Sequence, residues 1–274
     1  MQINFSRAEF FMLAALMRAD GIIGLDPSRL LPETVAERQA LYSAGEASLS
    51  ARKLLRLAGG EAQLEENVMR LMTAVTRPQT ALITVKTLPN AGQQLFAHYG
   101  RAGVYVEQTL PNAETHRLAD VGDNTQMRER LQEIFPLSGI SANGAGFELD
   151  TAAMLAAYNF IRDGNDAEGL EALAQNGPVD APQRAFFESV KAMQYSGTIA
   201  MMQIVPDQES EAREFAVVSG AGRAWLMIGV EDGKSQIGAW NTLARRSDED
   251  LTRYLQLTGS PPRVTDTPDT TVAE

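Results

Sequence analysis

Cysteine is absent from the 274 residues, which excludes disulfides, thiolate zinc sites and a cysteine nucleophile. Long apolar runs are missing too. The longest near the start, Phe10 to Met17, falls far short of the roughly 20 residues that span a bilayer. Arg7 and Glu9 precede it and no small-residue cleavage site follows, so neither a secretory signal nor membrane insertion is expected. Basic residues are outnumbered, giving a formal net charge of −11. That argues against nucleic acid as a partner, because phosphate contacts need clustered Lys and Arg. The densest basic spots, Arg128/Arg130 and Arg245–Arg246, read as solvated helix faces and ends. What remains is a 44% hydrophobic, ordinary globular composition, and the expected location is the cytoplasm.

The chain reads as two halves built to one plan. VMRLMTAVTRPQTALITVK (68–86) is a helix end, a break at Arg77–Pro78 and a strand; FFESVKAMQYSGTIAMMQIV (186–205) repeats that order. AHYGRAGVYVEQTL (97–110) and AVVSGAGRAWLMIGV (216–230) are each two short strands around a Gly-containing turn. Third strands follow at 114–121 and 235–243, then helices at 125–137 and 248–259, with matching pieces offset by roughly 118 to 123 residues. The openings SRAEFFMLAALM (6–17) and ELDTAAMLAAYNFI (148–161) also correspond. The first half carries a helical insertion at about 30–60, expected as two helices separated near Gly45. Ser6 with Glu9 spells a capping box, Asp123 or Asn124 starts the helix after it, and Ser247 with Asp250 does the same for its counterpart.

The expected organisation is therefore a first repeat unit over 1–137, a linker at 138–147, a second unit over 148–258 and a disordered tail at 259–274, all in one compact domain. Hairpin-linked strands between helices indicate an α+β fold, internally duplicated, with a central antiparallel sheet contributed by both halves and flanked by helices. AWLMIGV is apolar on both faces, as suits a strand covered on both sides.

No catalytic constellation emerges. His98 and His116 lie in neighbouring strand regions, and Glu107 or Glu114 would have to complete a metal site. No ligand spacing supports one, so both histidines read as hydrogen-bonded or solvent-facing sheet residues, with no metal and no cofactor expected. Ser219 in VVSGAG has Val217 where a nucleophile elbow needs glycine. GVEDGKS (229–235) and GAGRAW (220–225) imitate phosphate loops, but each precedes a strand and not a helix N-terminus, so both read as turns. The segments 87–94 and 206–214 are expected to be the long adjustable loops. Met12, Met17, Met69, Met72 and Met154 fall at helical spacings beside Leu and Ala and read as core. Met201, Met202 and Met227 sit in strands that could line an open sheet face. The candidate partner-binding set is Pro89, Asn90, Met201, Met202, Asp207 and Met227.

Three stretches carry a likeness to a known family: the opening SRAEFFMLAALM, the segment SLSARKLL (48–55) and the helix–Arg–Pro–strand junction LMTAVTRPQTALITV (71–85). With the hairpin AGRAWLMIGVEDGKSQIGAW they make residues 5–258 resemble the EspG family, the cytosolic chaperones of ESX (type VII) secretion. The resemblance implies a pseudo-twofold fold and a non-catalytic adaptor that keeps the apolar tip of a helical secretion substrate, or a pair, soluble. Two other readings stay open: an enzyme with its site in the cleft between the halves, and a self-associating structural protein.

Overall fold

The computed structural model describes residues 1–26, 32–59, 61–109, 115–136, 146–204, 211–229 and 233–239. The expected helix at 248–259, the tail, Asp207 and linker positions 138–145 lie outside them. The helices are α1 (Arg7–Leu16), α2 (Val35–Ala51), α3 (Glu66–Thr76), α4 (Asn124–Ile134), α5 (Thr151–Arg162), α6 (Asp166–Leu173) and α7 (Ala181–Lys191).

The described strands form one ten-stranded antiparallel sheet and a separate hairpin of β2 (Leu55–Ala58) and β3 (Glu61–Leu64). From one edge, the large sheet runs β1 (Gln2–Ser6), β7 (Thr115–Gly122), β6 (Val104–Thr109), β5 (Gly92–Arg101) and β4 (Thr80–Leu88). It continues with β9 (Met193–Gln203), β10 (Glu211–Gly220), β11 (Arg223–Gly229), β12 (Lys234–Ala239) and β8 (Phe147–Asp150). This order is the same from either end, with the β4–β9 pairing at its middle.

Two outer strands were not legible: β1 and β8 are only 5 and 4 residues long and run directly into helix caps. Their brevity also blunts the sheet edges against pairing with other chains. At one edge Ser6 and Glu9 close the capping box of α1, and Arg52 binds both Glu9 carboxylate oxygens and the carbonyl of Asn4. One buried carboxylate thereby joins β1, α1 and the end of α2. At the other edge Asp150 caps α5.

Register separates the two faces of the sheet. Ala81, Ala97, Val106 and Leu118 meet α1 and α3, while Val218, Trp225 and Ile237 meet α5 and α7. These helices share one face. The other face carries Leu82, Phe96, Met201, Phe215, Val217 and Leu226, with α4 packed over its first half.

The insertion departs from expectation. Helix α2 runs unbroken through Gly45, and a hairpin takes the place of a second helix. A Cβ at Gly45 would lie 2.3 Å from the Ala8 carbonyl oxygen, so this glycine lets α1 and α2 touch. Its role is close packing, which sequence alone cannot distinguish from a helix break. The supposed long loops are corrected as well. Pro89–Ala91 is a three-residue turn between paired Leu88 and Gly92, and Glu211 already belongs to β10. Gln93 and Gln94, and Ala212, Arg213 and Glu214, are consecutive exposed residues on strand ends, and composition reads such polar runs as loop.

Both halves turn their next hairpin with Ala-Gly. Ala102 and Gly103 have φ 50° and 77°, and Ala221 and Gly222 have φ 50° and 69°, the type I′ geometry that favours Asn-Gly. Ala102→Asn and Ala221→Asn should each raise unfolding stability by about 0.5–1 kcal/mol, since asparagine tolerates the left-handed region better than alanine. Urea titration checks this, and a loss of stability would show that the turns are held by something other than backbone preference.

Candidate functional site

Helix coverage on the helix-rich face leaves a gap. Helices α1 and α3 pack on β1 and β5–β7, and α5 and α7 pack on β8 and β10–β12. Among the described residues no helix packs extensively on β4 or β9, the two middle strands. At one end of this strip, Ile23 and Leu25 from the segment after α1 come down onto Ile83, with the Gly24 Cβ position 2.6 Å from Ile83 Cδ1. Among the described residues the other end stays open.

There the structure holds a groove of about 350 Å³. Val85, Thr198 and Ala216 form its floor, one residue from each of three adjacent strands and paired side by side in the register. Leu155 and Tyr158 of α5 make one wall, and Thr87 and Gln93 lie toward the β4–β5 turn. Leu155 is 51% exposed, a large apolar side chain left open at the groove wall. The Tyr158 hydroxyl donates to Ser196 Oγ at 3.0 Å, which fixes the ring against the sheet and leaves its apolar edge to the groove. No lining residue carries a charge, in a chain whose formal net charge is −11.

The candidate partner-binding residues are distributed unevenly about this feature. Met227 lines the groove wall, almost buried. Pro89 and Asn90 are exposed at the turn just beyond Thr87 and Gln93. Met202 shares the same face farther along the strip, half-buried against the α1–α3 core. Met201 points to the opposite face and is completely buried, so it offers nothing to a partner in this state. Asp207 is outside the described residues. Sequence reasoning missed Val85, Thr198, Ala216, Leu155 and Tyr158. Their residue types are ordinary for strands and helices, and only the uncovered position of the strip distinguishes them.

The two histidines are both buried and hydrogen-bonded, on opposite faces of the sheet. His116 stacks on Phe10 with ring centroids 4.1 Å apart, and its Nδ1 lies 3.0 Å from Gln108 Nε2. Burial pushes its pKa down to about 4. His98 Nε2 lies 3.1 Å from Glu107 Oε2, which also accepts from Arg130 Nε of α4 at 2.6 Å. Burial alone would raise the Glu107 carboxyl, but hydrogen bonds from His98 and Arg130 outweigh it and hold the pKa near 2. Among the described residues no group of three or more His, Asp or Glu side chains is arranged to hold a metal ion. The chemistry of this cluster is that of a buried ion pair tying a helix to a sheet. GAGRAW is a type I′ turn and the start of β11, with no helix N-terminus to meet a phosphate.

Glu107→Ala would leave the Arg130 guanidinium and the His98 imidazole facing an empty, partly buried site. The expected cost is about 3 kcal/mol in chemical unfolding, as for other broken buried pairs. A cost below about 1 kcal/mol would mean that solvent replaces the carboxylate.

Among solved structures, the chain is similar to the Mycobacterium tuberculosis type VII secretion system chaperone EspG5, determined in complex with a PE25–PPE41 dimer. The TM-score is 0.65 at 14% sequence identity, over 93% of this chain and 97% of that one. At that identity the two share a fold. No protein-family model matches the sequence, and no curated protein does.

Proposed function

We propose that this chain is a non-catalytic protein-binding adaptor, an EspG-like cytoplasmic chaperone that holds an apolar helical segment of a secreted protein against the middle of its sheet. The observation that carries this reading is the uncovered β4–β9 strip with its uncharged groove. Two bare strands at a spacing of about 4.8 Å make a trough roughly 10 Å wide, close to the diameter of one α-helix. An apolar floor without charges suits a segment that would otherwise expose hydrophobic side chains to water. Small residues on the floor, Ala216 and Thr198, allow the backbone of a guest helix to approach closely. The fold shared with a chaperone solved in complex with its protein partner supports the same class of function.

Pro89 and Asn90, at the open end, and Met227, in the wall, are proposed as contacts of this site, with Met202 at the far end of the strip. The flexible Met side chains can adapt to differently shaped apolar surfaces.

The test uses the purified chain as bait for co-purification from its native lysate, beside Thr198→Lys and a control, Leu57→Lys on the exposed β2–β3 hairpin. A small helical protein, or a pair, should be recovered near stoichiometry by the wild type and the control. Thr198→Lys should reduce it at least tenfold, since a desolvated ammonium facing an apolar helix costs more than about 1.4 kcal/mol. Equal recovery by all three proteins would remove the groove from the function. Recovery of no protein by the wild type would count against the adaptor reading itself.

A further inference from the structure

The opposite face carries a feature that the binding groove does not use. Helix α4 is tied to the sheet through the single carboxylate of Glu107, which holds Arg130 through Nε at 2.6 Å and Nη2 at 3.2 Å. The same carboxylate meets His98 at 3.1 Å and Arg117 of β7 at 3.7 Å. Among the described residues, the charged groups facing His98 are Glu107 on β6, Arg117 on β7, and Arg130 on α4 with its helix partner Glu133. From β4 the residue opposite His98 is Leu82, which is apolar.

Two details make the imidazole intolerant of a second proton. It is fully buried, and its Nδ1 has no hydrogen-bond partner among the described residues, so an added N–H would be left unsatisfied there. A positive His98 would also share the Glu107 carboxylate with two guanidiniums. A cleft of about 380 Å³, lined by Gln2, Glu107, Arg117, Gln126 and Arg130, brings water to the edge of this cluster.

We infer that α4 is an acid-released clamp: at neutral pH neutral His98 lets Glu107 hold Arg130, and below it a proton taken up by His98 favours the form with α4 lifted from the sheet. Burial holds His98 below its ordinary 6.5 in the closed form, with the weaker pull of Glu107 in the other direction. The opened imidazole regains its ordinary affinity for a proton. Closure is therefore fully favoured above pH 6.5 and weakens as pH falls through and below that value, by up to tenfold per unit for one proton. Glu107 stays ionised throughout, since its pKa is near 2. The surface uncovered is apolar: Met127, Leu131 and Ile134 on α4, and Phe96 and Tyr105 beneath it. Nothing in this step depends on the groove across the sheet.

Amide hydrogen exchange on the full chain between pH 7.5 and 5.5, corrected for intrinsic rates, reads the opening directly. Residues 124–134 should lose protection by up to tenfold between pH 6.5 and 5.5, while β4 and β9 keep theirs. His98→Gln should flatten that slope, and His116→Gln, changed on the other face, should leave it intact. In the wild type, the imidazole signals of His98 should show it neutral in the closed form at pH 6.5, a readout that needs no variant. A flat wild-type profile, a slope that survives in His98→Gln, simultaneous loss across the whole sheet, or a His98 that protonates above 6.5 with α4 still protected would each overturn the inference.

Discussion

Everything in this fold hangs on the antiparallel pairing of β4 with β9. Eight residues of one strand face eight of the other, from Thr80 opposite Gln203 to Thr87 opposite Ser196, and this ladder alone turns two five-stranded halves into one sheet. The joint must stay tight. A side chain at Gly197 would meet the Val85 carbonyl oxygen at 2.1 Å and the Phe135 ring at 2.8 Å. Among the described residues each half brings helices for its own outer strands, and neither brings one for the joint. The groove is thus a consequence of the architecture: two helix-covered halves meeting edge to edge leave their shared middle bare on one face.

The two faces then take different physical characters. On the helix-rich face the open part of the joint has hydroxyl, amide and apolar groups only, so a guest meets no fixed charge. On the other face charge is drawn inward, where Glu107 gathers His98, Arg117 and Arg130 under α4. A buried ion pair of this kind contributes little net stability compared with an apolar core, but it specifies where the helix sits. Placing such a cluster beneath α4 keeps it away from the groove, where a desolvated charge would repel an apolar segment.

Much of this was written locally in the sequence. The capping box at Ser6–Glu9, the cap at Asp123, the Arg77–Pro78 break and the Gly-containing turns of both hairpins need only neighbouring residues to form, and each stands where the pattern placed it. Features that depend on distant partners were not legible. Gly45 reads as a breaker until Ala8 is known to press against it. The edge strands Gln2–Ser6 and Phe147–Asp150 are too short for alternation to register, and they exist because β7 and β12 offer them an edge.

The same distinction explains why the candidate site was only partly found. Met201 and Met202 are adjacent, so a strand must send them to opposite faces, and residue type gives no hint which one meets the core. The register decides it: Met201 is opposite Leu82 and lies within the core under the α4 face, whereas Met202 is opposite Ala81 on the helix-rich side. Val85, Thr198 and Ala216 carry no reactive group, and each would pass for filler in any strand. They become a surface because three strands set them side by side where none of the described helices arrives. A binding site of this type is made by what the fold leaves uncovered, and coverage is a property of tertiary structure that no window of sequence contains.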